Sequence, residues 1–419
     1  MLQSMPFVRA SVVRNFNTHT FFCLFLFAAT GCGSRHTTIG AASVSSNTAS
    51  GPNVAAITVD AGPAAAVGVL NEPFVSVTIC PPADASNCQT IDHILVDTQS
   101  FGLRIIASVL DPTKMLPQLI DTNGSSIGEC ATFADGYSWG PVKTADVNIS
   151  GETASNISVH VIGDASFAPL PATCGNTGAI EENTVASFGA NGVLGVGVFI
   201  ADCDVGCADA QNIRSGFYYA CNGSTCAPTA VAVIQQVSNP AAFFSTDNNG
   251  VIVELPAIPN AGAAVVNGAL IFGIGTQGNN SLGAATVLTP DPTTGAFTTT
   301  IGGNQFTTAF IDSGSNGIYF DDATIPTCSS NSGFYCPTST LAFTATNTDN
   351  ISTSTATINV ANAEILLNST SNYAFANLAG PANANGVVDW GLPFFFGRRV
   401  FTAIEGRMTM GGTGPYVAY

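Results

Sequence analysis

Two short stretches, far apart in the chain, carry the same order of residue types. The first is Ile94-Leu95-Val96-Asp97-Thr98-Gln99-Ser100-Phe101-Gly102. The second is Phe310-Ile311-Asp312-Ser313-Gly314-Ser315-Asn316-Gly317. Each is an apolar run, an aspartate, a hydroxyl residue, one further residue, a serine, one more residue and a glycine. A carboxylate at the end of a buried run is either costly or there for a purpose. Two such aspartates from two halves of one chain point to a shared site. Paired carboxyl groups can share a proton, so that one acts as base toward a water while the other acts as acid.

Short strands must position these turns. Apolar or alternating runs occur at Val54 to Val59, Ala66 to Leu70, Phe74 to Ile79 and on into Asp97. Ile105 to Leu110 reads as a strand or a short helix, and Cys130 to Val142 as a hairpin with Asp135-Gly136 at its tip. Ile157 to Ile162 and Asn191 to Gly197 continue the series, and Ala230 to Gln236 reads as a helix. The second half repeats the scheme, with strands at Val251 to Leu255, Ala269 to Gly273, Phe306 to Phe310, Ala356 to Val360, Ala363 to Leu367 and Val400 to Ile404. The reading is two β-rich halves, each with one aspartate turn and one later apolar-glycine strand. The expected organisation is a leader over 1–32, a flexible tether over 33–55, one β lobe over 56–225 and a second over 226–419.

The totals agree with an exported β protein. The 419 residues suffice for two lobes. Charged residues make up 9% and hydrophobic ones 46%, which is not the profile of disorder. A net charge of −17 argues against nucleic acid or an anionic membrane face as partner. Arg9 and Arg14 precede a short apolar run, Phe21 to Ala29, below the roughly 20 residues that span a bilayer. Ala29-Thr30-Gly31-Cys32 then resembles a lipoprotein cleavage site, with Cys32 as the lipidated residue. Of twelve cysteines, setting aside Cys23 and Cys32 leaves ten. Sequence proximity pairs Cys80 with Cys88, Cys203 with Cys207, Cys221 with Cys226 and Cys328 with Cys336, and Cys130 and Cys174 remain. Five disulfides suit an oxidising compartment. The alternative, zinc held by Cys203, Cys207, Cys221 and Cys226, has loose spacing for that metal. The four histidines, His19, His36, His93 and His160, do not cluster, which weighs against a Ser-His-Asp triad or a histidine metal site. The glycines at 192, 195 and 197 lie in a strand context, so dinucleotide binding is not expected. No metal and no cofactor is expected.

The order of these elements resembles the pepsin-like aspartic proteases, and within them a bacterial lipoprotein branch. Asp312-Ser313-Gly314-Ser315 fits that family's Asp-Thr/Ser-Gly-Ser/Thr turn. Asp97-Thr98-Gln99-Ser100 fits except that Gln99 stands where the family has glycine. Val193-Leu194-Gly195 is similar to the strand that props the first turn. Asn267 to Gly273 is similar to the strand before the second, and Trp390-Gly391 through Glu405 to the family's C-terminal stretch. The resemblance covers about residues 55 to 419.

It implies an all-β fold with two pseudo-repeated barrel lobes and a cleft between them. It implies Asp97 and Asp312 as the catalytic dyad, Ser100 and Ser315 as orienting groups, and Thr98 and Ser313 as the lock between the turns, with Gly314 allowing close approach. The flap hairpin would be Phe133, Asp135, Gly136 and Tyr137, with Phe133 at the family's tyrosine position. A side chain at Gln99 would reach toward the carboxylates or into the substrate position. The function implied is cleavage of extended peptides by a monomeric endopeptidase of the cell envelope that meets the membrane only through an N-terminal lipid. The alternative is a catalytically silent relative that binds peptides or an envelope partner in the same cleft, and a third possibility is a purely structural surface lipoprotein.

Overall fold

A computed structural model describes residues 43–45, 50–134, 136–175 and 180–419. The leader with Cys32, most of the tether and Asp135 of the hairpin tip lie outside the described residues. The chain is nearly all β, and among the described residues no helix exceeds five residues. None of these helices is long and apolar enough to cross a membrane.

One large sheet runs through both halves. Its N-terminal part contains Pro73–Cys80, Gln89–Asp97, Phe101–Ile106, Gly136–Ile149, Glu152–Ile162 and Gly192–Val196. Strand Val54–Val59 joins the halves. It pairs with Val265–Phe272 from the second half and meets Phe74 and Pro73 in the first. From Val265–Phe272 the sheet continues through Gly250–Leu255 and Arg398–Ala403 to Tyr416–Ala418. A separate seven-stranded sheet forms the rest of the second half. It is built on the long hairpin Leu341–Thr348 and Thr353–Val360 and carries Asn304–Ile311, Val387–Trp390 and Ile318–Phe320. In Thr353–Val360 the alternation is visible: Ala356, Ile358 and Val360 are buried while Thr357 and Asn359 face solvent. The result is an all-β, two-lobed chain, as the resemblance implies.

The two aspartate turns are built alike. Gly192–Val196 lies parallel to Gln89–Asp97, with Gly195 opposite Asp97, and antiparallel to Phe101–Ile106, with Gly195 opposite Gly102. In the second lobe Val387–Trp390 lies parallel to Asn304–Ile311 and antiparallel to Ile318–Phe320. The propping strand must pass close to the turn. A Cβ on Gly195 would lie 2.4 Å from the Phe101 nitrogen, and one on Gly391 would lie 2.0 Å from the Gly317 carbonyl.

Five local expectations change. Residues 66–70 are irregular, since Pro63 and Gly68 punctuate them and Gly68 takes a left-handed conformation. The 105–110 stretch is divided between strand Phe101–Ile106 and a 3₁₀ turn, Ala107–Val109. The expected helix at 230–236 is only a 3₁₀ turn, Val233–Gln235. Ala363–Leu367 is helical instead of extended. Asn362 caps it by accepting from the Ile365 N–H, and Glu364 sits in its first turn. The hairpin of Tyr218–Asn222 and Thr225–Pro228 straddles the expected boundary at 225/226, so the first lobe's chain runs on to Pro228.

All five disulfides form as the sequence pairs them: Cys80–Cys88, Cys130–Cys174, Cys203–Cys207, Cys221–Cys226 and Cys328–Cys336. The zinc alternative is thereby excluded, because its four cysteines are consumed in two disulfides. Such a set of bridges is consistent with an exported protein.

Candidate active site

Asp97 ends its strand and Asp312 directly follows its own at the seam between the lobes, and both are buried. The residues after them interlock. The Thr98 hydroxyl donates to the Ile311 carbonyl (2.9 Å) and accepts from the Ser313 N–H (3.0 Å). In return the Ser313 hydroxyl donates to the Val96 carbonyl (2.7 Å) and accepts from the Thr98 N–H (3.2 Å). Four reciprocal hydrogen bonds therefore fix one turn against the other in a buried setting, where bond geometry is stringently enforced.

This lock sets the two carboxyl groups beside each other, with Gly314 of the second turn against the Asp97 carboxyl. Asp97 Oδ1 accepts from the N–H groups of Gln99 (2.7 Å) and Ser100 (3.0 Å). Asp312 Oδ1 accepts from the Gly314 N–H (2.8 Å), and Asp312 Oδ2 contacts the Ser315 hydroxyl (2.8 Å). Burial raises Asp97 above the ordinary carboxyl range, opposed by hydrogen bonds from Ser100, Gln99 and Asp312. Asp312 is raised well above that range, by burial first and then by the neighbouring carboxyls of Asp97 and Asp389, whose ionised forms would repel its own charge. The pair thus holds a proton above the usual carboxylate range, and that proton belongs to the two carboxyls together.

Gln99 neither blocks nor breaks this arrangement. Its N–H still donates to Asp97, its backbone stays out of the left-handed region, and its side chain is only half-buried. Gly314 is the position where a side chain cannot fit, since a Cβ there would lie 2.8 Å from Asp97 Cγ. The Ser100 N–H donates to Asp97, and the Ser315 hydroxyl contacts Asp312.

The hairpin of Ser126–Thr132 and Gly136–Ile149 closes with the Phe133 N–H donating to the Gly136 carbonyl (2.8 Å). The Phe133 ring meets Phe188 edge-on at 5.6 Å. Tyr137 is buried in a side cluster with Trp139, Tyr219 and the Cys130–Cys174 bridge. Its ring lies under Gly175, where a Cβ would come within 2.5 Å of Tyr137 Cζ. The Trp139 indole donates to the Ala168 carbonyl. Tyr137 and Trp139 therefore form the packed flank of the hairpin.

Several contributors were not singled out in the sequence. Asn71, from the first lobe, donates to the carbonyls of Asn316 (2.8 Å) and Phe375 (2.9 Å) and accepts from the Phe375 N–H (2.7 Å). It ties the first lobe to the chain just beyond the second aspartate turn. Arg104 donates to the Phe101 carbonyl behind the first turn and pairs with Glu129 (2.5 Å) and Asp202 (2.9 Å), all buried. Burial pushes His160, beside Glu129, down to about 4, so it is neutral near pH 7. Asp389 lies 2.6 Å from the Ser315 hydroxyl, a contact invisible in a sequence whose matching strand carries Val193. A cavity of about 710 Å³ opens between the Cys203–Cys207 loop and the second lobe, lined by residues including Phe199, Arg214, Pro292 and Glu405; neither aspartate lines it.

The fold and site define a two-lobed β protein with one buried aspartate turn from each lobe. A family model described as "Protein of unknown function (DUF3443)" matches residues 49–419, and the chain belongs to that family. No curated protein matches the chain significantly. Among solved structures, the chain is similar to an aspartic proteinase from Irpex lacteus. The two share 14% identity over 87% of this chain and 96% of the other, with a TM-score of 0.47.

Proposed function

We propose that the protein is an aspartic endopeptidase that cleaves extended peptides between its lobes. The observation that carries this reading is the pair of buried, neighbouring carboxyls Asp97 and Asp312, fixed by the crossed Thr98 and Ser313 bonds. One carboxyl of the pair accepts a proton from a water held between them as the water oxygen bonds to the scissile carbonyl carbon. The other, carrying the shared proton, polarises that carbonyl. The tetrahedral intermediate then collapses as a proton passes to the leaving nitrogen. Thr98, Ser313, Gly314 and Ser315 hold the reacting groups in place, and preorganisation of this kind supplies much of the rate.

The test is incubation with an unfolded polypeptide from acid to neutral pH, with products read by mass spectrometry. The reading predicts internal cleavage that is fastest at acid pH and is blocked by a peptide bearing a hydroxyl in place of the scissile carbonyl. No cleavage at any pH would overturn it. The second reading, a cleft that binds peptides without cutting, has in its favour a hairpin tip that carries Phe133, with no hydroxyl. Peptide binding without cleavage would establish it.

We further propose that the chain is exported and anchored in the cell envelope by lipid on Cys32. The Ala29-Thr30-Gly31-Cys32 run and the five disulfides support this. Radiolabelled fatty acid should enter the wild-type chain and not Cys32→Ala, and equal labelling of both would overturn the anchor.

A further inference from the structure

Ser315 has one hydroxyl hydrogen, yet its oxygen contacts two carboxyl oxygens: Asp312 Oδ2 at 2.8 Å and Asp389 Oδ2 at 2.6 Å. A hydroxyl donates once, so for both contacts to be hydrogen bonds one of the two carboxyls must itself donate. All three groups are buried. If the donor were Asp312, its proton would sit on Oδ2 facing Ser315, where it could not also be shared with Asp97. We infer that Asp389 is a positioning residue: it stays un-ionised, donates to Ser315, and so turns the Ser315 hydroxyl onto Asp312 Oδ2. Three carboxyls then hold two protons, one on Asp389 and one shared by the pair.

The placement has a structural origin. Val387–Trp390 props the second turn as Gly192–Val196 props the first, and Asp389 occupies the register position that Val193 holds in the first lobe. The polar group is therefore present on one side only, and it breaks the pseudo-symmetry of the two turns. Across the adjoining strands Asp389 pairs with Phe310 and Tyr319, and the Tyr319 hydroxyl bonds Asn316. Ionised, Asp389 would set a second like charge beside Asp312, as Asp97 does. An anion at Asp389 would work against the pair, and burial in this setting favours the neutral acid.

The catalytic part of this inference rests on the proposed endopeptidase reading, while the protonation part does not. The experiment compares wild type with Asp389→Asn, whose amide donates to Ser315 and cannot ionise. At about pH 6, where exposed carboxyls are ionised, the infrared difference spectrum should show loss of one un-ionised carboxyl band. In the cleavage assay Asp389→Val, which leaves the Ser315 hydroxyl without its donor, should lower kcat about 10-fold, and Asp389→Asn, which restores the donor, should recover most of that loss. Asp389→Val, suited to a buried strand, gives the same infrared loss should the asparagine chain fail to fold. An unchanged carboxyl band in a folded variant overturns the inference, and so does an Asp389→Val chain with the wild-type kcat. If neither chain cleaves any peptide, the endopeptidase reading falls, and the infrared band still decides the protonation of Asp389.

Discussion

Gly314→Ala isolates the closest steric requirement of the site. The Gly314 backbone lies outside the left-handed region, so alanine meets no conformational penalty there. What it meets is Asp97. The new Cβ would stand 2.8 Å from Asp97 Cγ and 3.1 Å from both carboxyl oxygens, whereas ordinary contact begins at 3.4 Å. The gap must therefore open by 3.4 − 2.8 = 0.6 Å. Asp97 is held from the other side by the Gln99 and Ser100 N–H groups, and Gly314 lies in a turn locked by Thr98 and Ser313. Either the carboxyl pair separates or the lock loosens. Misplacing a catalytic group by about 1 Å lowers rate by about 100-fold, so a shift of this size should lower kcat by about 10-fold or more. Overpacking of this kind destabilises by about 1–3 kcal/mol. The assay is kcat and KM on a peptide substrate together with thermal unfolding, and the loss should fall on kcat. Gln99→Gly is the control and should leave both kcat and melting temperature near wild type, because the Gln99 N–H already reaches Asp97. A Gly314→Ala protein with wild-type kcat and melting temperature would refute the geometry.

Three further outcomes follow from the buried charges and bridges. Asp312 is raised in the folded chain, so its contribution to stability is present below the ordinary value of 3.8 and is lost as pH rises through the folded value. Asp312→Asn should therefore gain on wild type by about 1.4 kcal/mol per pH unit between the ordinary value and the raised folded one and level off above it, and parallel stability curves would contradict this. Arg104→Met leaves Glu129 and Asp202 buried without their cation and should lower stability by about 3–5 kcal/mol in urea unfolding; a loss below about 1 kcal/mol would show that the network is dispensable. Cys130 and Cys174 are 44 residues apart, while Cys203 and Cys207 are 4 apart. Loop-closure entropy assigns about 4 kcal/mol to the first bridge and about 2 kcal/mol to the second. Paired alanine replacement should lower the melting temperature more at the first, and the reverse order would count against this estimate.

The features legible in the sequence were those with a local signature. The aspartate turns and their propping strands announce themselves through apolar runs that end in Asp-hydroxyl and in glycine, and the sequentially close cysteines name their own partners. What stayed hidden depends on tertiary placement. Asn71 reads as a loop residue until the chain brings it to Asn316, 245 positions away. Asp389 sits in an apolar strand and gains meaning only where that strand meets Ser315. Ala363–Leu367 consists of helix formers apart from Ile365, but a five-residue apolar run is too short to show a helical period, and the cap from Asn362 fixes where the helix starts. Gln99 looked like an intruder because its side chain is what a sequence displays, whereas the site uses its N–H.

The central claim is that Asp97 and Asp312 act as one proton-sharing unit. Its most direct test is the cleavage rate of Asp97→Asn, Asp312→Asn and the double variant on one peptide at acid pH, with folding checked by circular dichroism. Groups that act as a unit are not additive, so each single variant should lose as much activity as the double. Cleavage that survives either single change would contradict the account.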